Sequence, residues 1–272
     1  MHLLIFGLGY AASAIARQFA AAGWTIESTG RAGTLAFDDD AAVRAAVGRA
    51  SNILSSVPPA DDRDPVLDRY GDVLGGRWLG YLSSTGVYGD AGGAWVDETA
   101  PIRGRRAGRN AADAAWLARG ARVLRLPGIY GHGRSPLDRV AAGTAHRTGL
   151  RDQVFSRVHV DDIAHGVAAA IDGPAGAFNL ADDLPASQDD VVDYAAALLG
   201  VPPPPIVALD TLSPAAQAFY GENRRVSNRK AARVLGWRPR YPDYRFGLRA
   251  VSAVTSPPIT SSAPAAASGD QR

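Results

Sequence analysis

Gly7-Leu8-Gly9-Tyr10-Ala11-Ala12 lies between an unbroken apolar run, Leu3-Leu4-Ile5-Phe6, and an alanine-rich stretch without a breaker, Tyr10 to Ala22, closed by Gly23. Strand, glycine turn and helix in that order open a dinucleotide-binding βαβ unit, and G-x-G-x-x-A is an accepted form of its fingerprint. Gly7 permits the tight turn. Gly9 lets a pyrophosphate approach the backbone without meeting a Cβ, and Ala12 keeps the helix close to the sheet. The free amides at the helix start, around Tyr10 and Ala11, face the anion.

The first half of the chain alternates apolar runs with amphipathic ones. Strands are expected at Leu3–Phe6, Trp24–Thr29, Thr34–Phe37, Asn52–Ser56, Trp78–Ser83 and Arg122–Leu126. Helices are expected at Tyr10–Ala22, 39–47, Asp64–Leu74 and 108–118. Strands separated by helices of this length build a parallel sheet covered on both faces. The expected fold is α/β, a Rossmann-type doubly wound parallel sheet with a smaller C-terminal α/β substrate lobe. The division reads as 1–127 for the dinucleotide-binding domain and 128–255 for the lobe, packed on the first and sharing sheet elements. In the lobe loops lengthen, strands become scarce, and short helices are expected at 135–143, 161–171, 187–199 and 228–235. Residues 256–272, mostly Ser, Pro, Ala and Gly, read as a disordered tail.

Composition narrows the chemistry. Without cysteine there is no thiolate nucleophile, disulfide framework or cysteine-held metal. Of the 29 basic residues only Lys230 is a lysine, and the net charge is +2. No dense basic run with interleaved aromatics suggests nucleic acid, and no stretch approaches a membrane span. The cluster Arg103, Arg105, Arg106 and Arg109 reads as a solvated loop. A cytoplasmic protein, monomer or homodimer, acting on a small molecule is the expectation.

The end of the second strand selects the cofactor. An acidic residue roughly 20 positions past the fingerprint would hold a ribose diol. Here Thr29-Gly30-Arg31 stands instead, and a hydroxyl with a guanidinium suits a 2′-phosphate. NADP is therefore expected over NAD. Ser56 and Val57 leave the fourth strand beside the adenosine half, and Pro127 and Ile129 leave the sixth beside the nicotinamide.

Four further segments carry a resemblance. Leu82-Ser83-Ser84-Thr85-Gly86-Val87-Tyr88-Gly89, Arg125-Leu126-Pro127-Gly128-Ile129-Tyr130-Gly131, Val158-His159-Val160-Asp161-Asp162-Ile163-Ala164 and Phe178-Asn179-Leu180 follow the glycine turn in order. Together they resemble the extended short-chain dehydrogenases/reductases, the nucleotide-sugar epimerase and dehydratase group, over residues 1 to about 250. That resemblance implies a Ser or Thr with a Y-x-x-x-K dyad, which is impossible here. The residue four before Lys230 is Val226, and alignment on Asp113 puts Arg105 and Arg109 at the tyrosine and lysine positions. Glu222-Asn223-Arg224-Arg225-Val226-Ser227-Asn228, Leu235-Gly236-Trp237 and Tyr241 to Leu248 resemble the atypical, YeeZ-like branch.

What remains is weighed against that loss. Arg109 stands in for lysine as a fixed cation near the ribose but cannot shuttle a proton. Ser84, at the Ser/Thr position, is expected to hold a substrate oxygen with Thr85 beside it, and Tyr88 is the nearest substitute acid. His132 and His159 are candidates for substrate contact, with Asp161 as the expected helix cap; His146 and His165 read as solvated or packing residues on helix faces. Asp97 and Glu98 read as loop caps, and Glu27 as structural. No third ligand accompanies His159 and Asp161, so no metal site is expected. Two readings stay open: an NAD(P)-dependent oxidoreductase or epimerase-like enzyme, and a non-catalytic NADP(H)-binding redox sensor or scaffold.

Overall fold

A computed structural model describes residues 1–255; the expected disordered tail lies outside the described residues. Leu3 to Phe6 are completely buried, as an apolar run in the middle of a parallel sheet must be, and form β1 (His2–Phe6). They sit beside β2 (Thr25–Ser28) and β3 (Asn52–Ser55), both parallel to β1. β4 (Trp78–Ser84) and β6 (Arg122–Leu126) continue the sheet beyond β3, after the short β5 (Trp95–Val96). The outermost strand, β10 (Gly176–Asn179), comes from the C-terminal lobe, so the six-stranded order is β10-β6-β4-β3-β1-β2. Strand order reverses at β1, between β2 and β3. The crevice above their C-terminal ends is where a doubly wound sheet receives ligands.

Helices cover both faces. α1 (Tyr10–Ala21) turns Ala11, Ala12, Ala14, Ile15 and Phe19 inward and packs beside α6 (Val160–Ile171) in one core cluster. α2 (Asp40–Arg49), α3 (Pro65–Tyr70) and α4 (Ala107–Ala118) build the opposite core around Phe6, Tyr70, Tyr81 and Trp116. Small side chains make room for large ones: a Cβ on Gly80 would lie 2.4 Å from the Trp78 ring.

Two expectations for this half change. Thr34–Phe37 is no strand, since only Leu35 bridges Thr29 and the chain turns at once toward α2. The helix expected to reach Leu74 ends at Tyr70, where Gly71 caps it.

The lobe holds more strand than expected. β7 (Gly128–Tyr130) pairs with β9 (Arg157–His159), β8 (Val154–Phe155) with β11 (Ala186–Ser187), and β12 (Arg225–Val226) with β5. At two or three residues each, such pairs fall below the length at which alternation can be read. α5 (Pro136–Ala141), α7 (Gln188–Leu199) and α10 (Tyr244–Thr255) enclose a third core. α8 (Pro214–Tyr220) is a surface helix without a buried residue, and α9 (Arg229–Val234) closes against β10.

A buried polar chain joins the two halves. Ser83 donates to Asp113 (2.6 Å), and Asp113 is gripped by Arg125 through Nη2 (2.7 Å) and Nε (3.0 Å). Arg125 also donates to the Tyr88 hydroxyl (3.0 Å), which donates to Asn179 Oδ1 (2.8 Å). Both ionic side chains are at most 3% exposed. Removing one partner of such a pair strands a buried charge at a cost of about 3–5 kcal/mol. Asp113→Ala is therefore expected to lower the melting temperature by roughly 10 °C. Scanning calorimetry checks this; an unchanged transition would mean that the pair is not structural.

Candidate active site

The glycine loop is held from below. Gly7 has φ +84°, a conformation favouring glycine, and a Cβ there would stand 2.9 Å from Val57 Cγ2. Thr29, 1% exposed, secures the loop twice: its hydroxyl accepts from Gly7 N (3.1 Å) and its carbonyl from Leu8 N (2.8 Å). Its hydroxyl thus braces the turn, which corrects the expectation that it faces a 2′-phosphate. Arg31 stands exposed at the strand tip. Gly9, the N-terminal residue of the α1 turn, carries no side-chain cap, and a Cβ built on it would meet nothing within 4 Å. Open space in front of uncapped amides fits a pyrophosphate. Ser56 and Val57 leave β3 on the other side of the crevice. Glu27 takes up Arg49 (2.6 Å) and His2 (2.8 Å) at the far end of the sheet edge, a structural role.

Beyond β1 the C-terminal ends of β4 and β6 open into a cleft of about 800 Å³. Ser84, Thr85, Arg109, Pro127 and Ile129 all line it. Ser84 starts the 3₁₀ turn Thr85–Tyr88, and its Oγ accepts from Gly86 N (3.1 Å). The hydroxyl hydrogen therefore remains to be given to a ligand oxygen. Tyr10 closes one corner, donating to the His132 carbonyl (3.0 Å) with the Arg134 guanidinium 5.6 Å above its ring.

The loop expected to be solvated belongs to this cleft. Arg105, Arg106 and Arg109 line one bank, Arg134 and Arg139 come from the α5 side, and Arg157 and Arg224 complete seven arginines against two carboxylates, Asp138 and Glu222. Only Arg105 (2.9 Å) and Arg224 (2.7 Å) find a carboxylate among the described residues, and both find Glu222. Asp138 is engaged by Ser135 in a capping box at α5. A cleft with surplus fixed cations attracts anions.

The α4 bank is fastened to the loop that follows Val57. Arg106 offers α4 no side-chain cap; Asp62 instead accepts from Gly108 N (3.0 Å). Asp61 and Asp62 adopt left-handed backbone (φ 48° and 58°) to reach it.

Three sequence candidates move away from the cleft. Tyr88 is 3% exposed and committed to Arg125 and Asn179; burial pushes its phenol pKa further up, so it is no substitute acid. The side chain of His132 is exposed, and its carbonyl is what the fold uses. His159, 4% exposed, is the residue that caps α6: its Nδ1 accepts from Asp161 N (3.2 Å), correcting the expectation that Asp161 caps. Its ring packs against Tyr130 and Tyr241. His146 moves the other way, since it lies in the loop after α5 and lines the cleft. Asp97 does cap its loop, accepting from Thr99 N (2.9 Å), while Glu98 accepts from Asn179 N (2.6 Å) and so tethers β10.

Sequence reasoning missed Arg157, Phe155, Phe219, Tyr220 and Glu222 as cleft residues. Only Glu222 lay in a recognisable pattern. The others sit on strands and a helix too short for periodicity to place.

Burial lowers the His159 pKa, keeping the ring neutral with Nδ1 as acceptor. A histidine depressed in the folded state binds its proton more readily when unfolded, so the unfolded chain gains as pH falls below about 6.5. Stability is expected to be fully present above that value and to decline below it. His159→Asn, which keeps a capping oxygen, should flatten the decline. Urea melts at pH 5.0 to 7.5 measure both; equal slopes would overturn the assignment.

No family model matches the chain. A functionally unknown conserved protein from Silicibacter pomeroyi shares 41% identity, over 93% of this chain and 98% of that one, with a TM-score of 0.83. A human epimerase family protein solved with NADPH superposes with a TM-score of 0.74 at 15% identity, over 93% and 99%. Another neighbour, solved with UDP-glucuronic acid and NAD, has a TM-score of 0.75 at 19% identity, over 94% and 99%. A curated relative, the 3-diazoavenalumate denitrifying reductase of a Streptomyces species, is 31% identical over 138 residues; the match spans 46% of this chain and 45% of that protein, under half its length. The near-complete match at 41% identity places the chain in one family with the Silicibacter pomeroyi protein, and the strand order together with the superposition on the epimerase family structure shows that its fold is the Rossmann-type one those structures share.

Proposed function

We propose that the chain binds a nicotinamide dinucleotide across the β1 crevice and acts as an NADP(H)-preferring oxidoreductase on a small molecule held in the cleft. The observation that carries this reading is continuity: uncapped amides at Tyr10–Ala12 on one side, and Ser84, Arg109, Pro127 and Ile129 at the ends of β4 and β6 on the other. Gly7, Gly9, Tyr10, Ala11 and Ala12 would hold the pyrophosphate. Ser56 and Val57 would line the adenosine half, Arg31 would grip a 2′-phosphate, and Arg109 would stand by the nicotinamide ribose. A bound nicotinamide supplies or accepts hydride. Ser84 donates to a substrate oxygen, with Thr85 beside it. Tyr88 is committed elsewhere, so fixed arginines would stabilise an oxygen that gains charge until a proton reaches it. Electrostatic stabilisation of that kind is a large contribution wherever water is excluded. His146 also lines the cleft, where its ring nitrogens can donate to or accept from a ligand.

The second reading, a non-catalytic NADP(H) sensor, is supported by the commitment of Tyr88 to the buried chain. Ser84→Ala separates the two. It should lower turnover by about a hundredfold if Ser84 holds a reacting oxygen, while leaving cofactor affinity unchanged.

Titration of NADPH, NADP, NADH and NAD, followed by nicotinamide fluorescence and melting temperature, tests the binding itself. The phosphorylated forms are expected to bind about tenfold tighter, and Arg31→Ala to erase that margin without weakening NADH. Binding by none of the four would overturn the proposal.

A further inference from the structure

The inner end of the cleft holds a cation whose only hydrogen-bond partners are neutral. Arg157 is 7% exposed. Its Nη1 donates to the carbonyls of Phe155 (2.8 Å) and Ala186 (2.9 Å), and its Nη2 to Ser187 O (3.4 Å) and Gln188 Oε1 (3.3 Å). Among the described residues no carboxylate comes within ion-pair distance. The charge that acts on it most, Asp182, is itself 2% exposed and both its oxygens lack a donor. Burial drives the Asp182 pKa well above the usual carboxylate range and pushes Arg157 down to about 10, each shift offset in part by the charge of the other. A buried charge held only by neutral oxygens is costly, and a ligand anion relieves that cost.

The geometry of Arg157 limits what that anion is. Four of its five N–H groups have protein acceptors, leaving Nε. One free N–H and one charge suit a monoanion presenting a single oxygen. A diphosphate spreads its charge over several oxygens and asks for more donors than Arg157 alone offers.

Beside Arg157 the wall is aromatic. Phe155, whose carbonyl Arg157 holds, stacks on Phe219 at 4.3 Å between centroids and 10° between planes, and Tyr220 meets both edge-on. Phe219 is 49% exposed on α8, a helix with no buried residue, and it lines the cleft. A half-exposed phenyl ring lying flat on a second one gives a planar ligand a surface on which to stack.

We infer that the cleft selects an aryl carboxylate, its carboxylate directed to Arg157 and its ring laid against the Phe155–Phe219 wall. This deepens the oxidoreductase reading and rests on it for the statement that such a compound is a substrate; the recognition itself does not. Nucleoside diphosphates, which share a flat ring and negative charge, are the competing occupant.

Isothermal titration of the full chain with trans-cinnamate, cinnamyl alcohol, hexanoate and UDP, each with and without NADP, tests the inference. Cinnamate is expected to bind at least tenfold tighter than cinnamyl alcohol, which lacks the charge, or hexanoate, which lacks the ring, and tighter than UDP. Phe219→Ala, on a surface helix where folding is not at stake, should bring cinnamate down to the affinity of hexanoate and leave hexanoate unchanged. Arg157→Lys, checked by an unchanged melting temperature, should weaken cinnamate and hexanoate alike and spare cinnamyl alcohol. Equal binding of cinnamate and cinnamyl alcohol, UDP binding tighter than cinnamate, or no effect of Phe219→Ala would overturn the inference. Cinnamate selectivity without any NADP binding would uphold the recognition and overturn the oxidoreductase reading; NADP binding with no cinnamate selectivity would do the reverse.

Discussion

The Asp113–Arg125 ion pair is the constraint from which the site takes its shape. It ties β4, α4, β6, the Thr85–Tyr88 turn and β10 together through five side chains, all of them buried. These elements carry Ser84, Thr85, Arg109, Pro127 and Ile129 to the rim of the cleft. A hydrophobic core alone would let them slide by fractions of an ångström. Directional bonds in a low-dielectric interior resist that, because each has to be broken without replacement. The same chain explains how a strand from the C-terminal lobe comes to close the sheet: Asn179 is held by Tyr88, by Glu98 through its backbone N–H, and by its own donation to the Ser227 carbonyl (3.0 Å).

No tyrosine stands four residues before the single lysine of this chain. Arginines line the cleft instead, a set that Glu222 neutralises only in part. Proton transfer and fixed charge are different solutions to the same problem, a developing negative charge on oxygen. The first needs a group whose pKa lies near the working pH. The second needs only position, and works best for charge that is already delocalised. The arginines that line this cleft offer position and charge, the means of the second.

The sheet was legible because most of its strands are buried apolar runs of four to seven residues bounded by breakers. The run Leu3 to Phe6 followed by Gly7 has few alternatives in a chain of this length. The lobe was not, because β7, β8, β9, β11 and β12 have two or three residues each, and their pairing depends on partners far away in sequence. The same distinction holds at the site. Gly7, Gly9, Ser84 and Arg109 occupy positions that local sequence announces. Arg157 and Phe219 fall outside every element expected from the sequence, and His159 reads as a candidate for substrate contact. Whether a histidine caps a helix or faces a cleft depends on one torsion angle that no spacing encodes. Tyr88 misled for a related reason: its hydroxyl is spent on Asn179, 91 residues further along the chain.

The clasp between Asp62 and Gly108 bears on how the two compartments communicate. The loop leaving β3 forms one wall of the crevice at Val57 and, five residues later, seats the first turn of the helix that carries Arg109. Crevice and cleft therefore share a structural member. Two consecutive aspartates in left-handed backbone hold that member in place, a conformation kept only because the surroundings enforce it. Occupancy of one compartment that shifts the loop changes the free energy of the other, and linkage requires the effect to be of equal size in both directions. On the proposed function, a wall shared in this way would couple dinucleotide and substrate within a single fold.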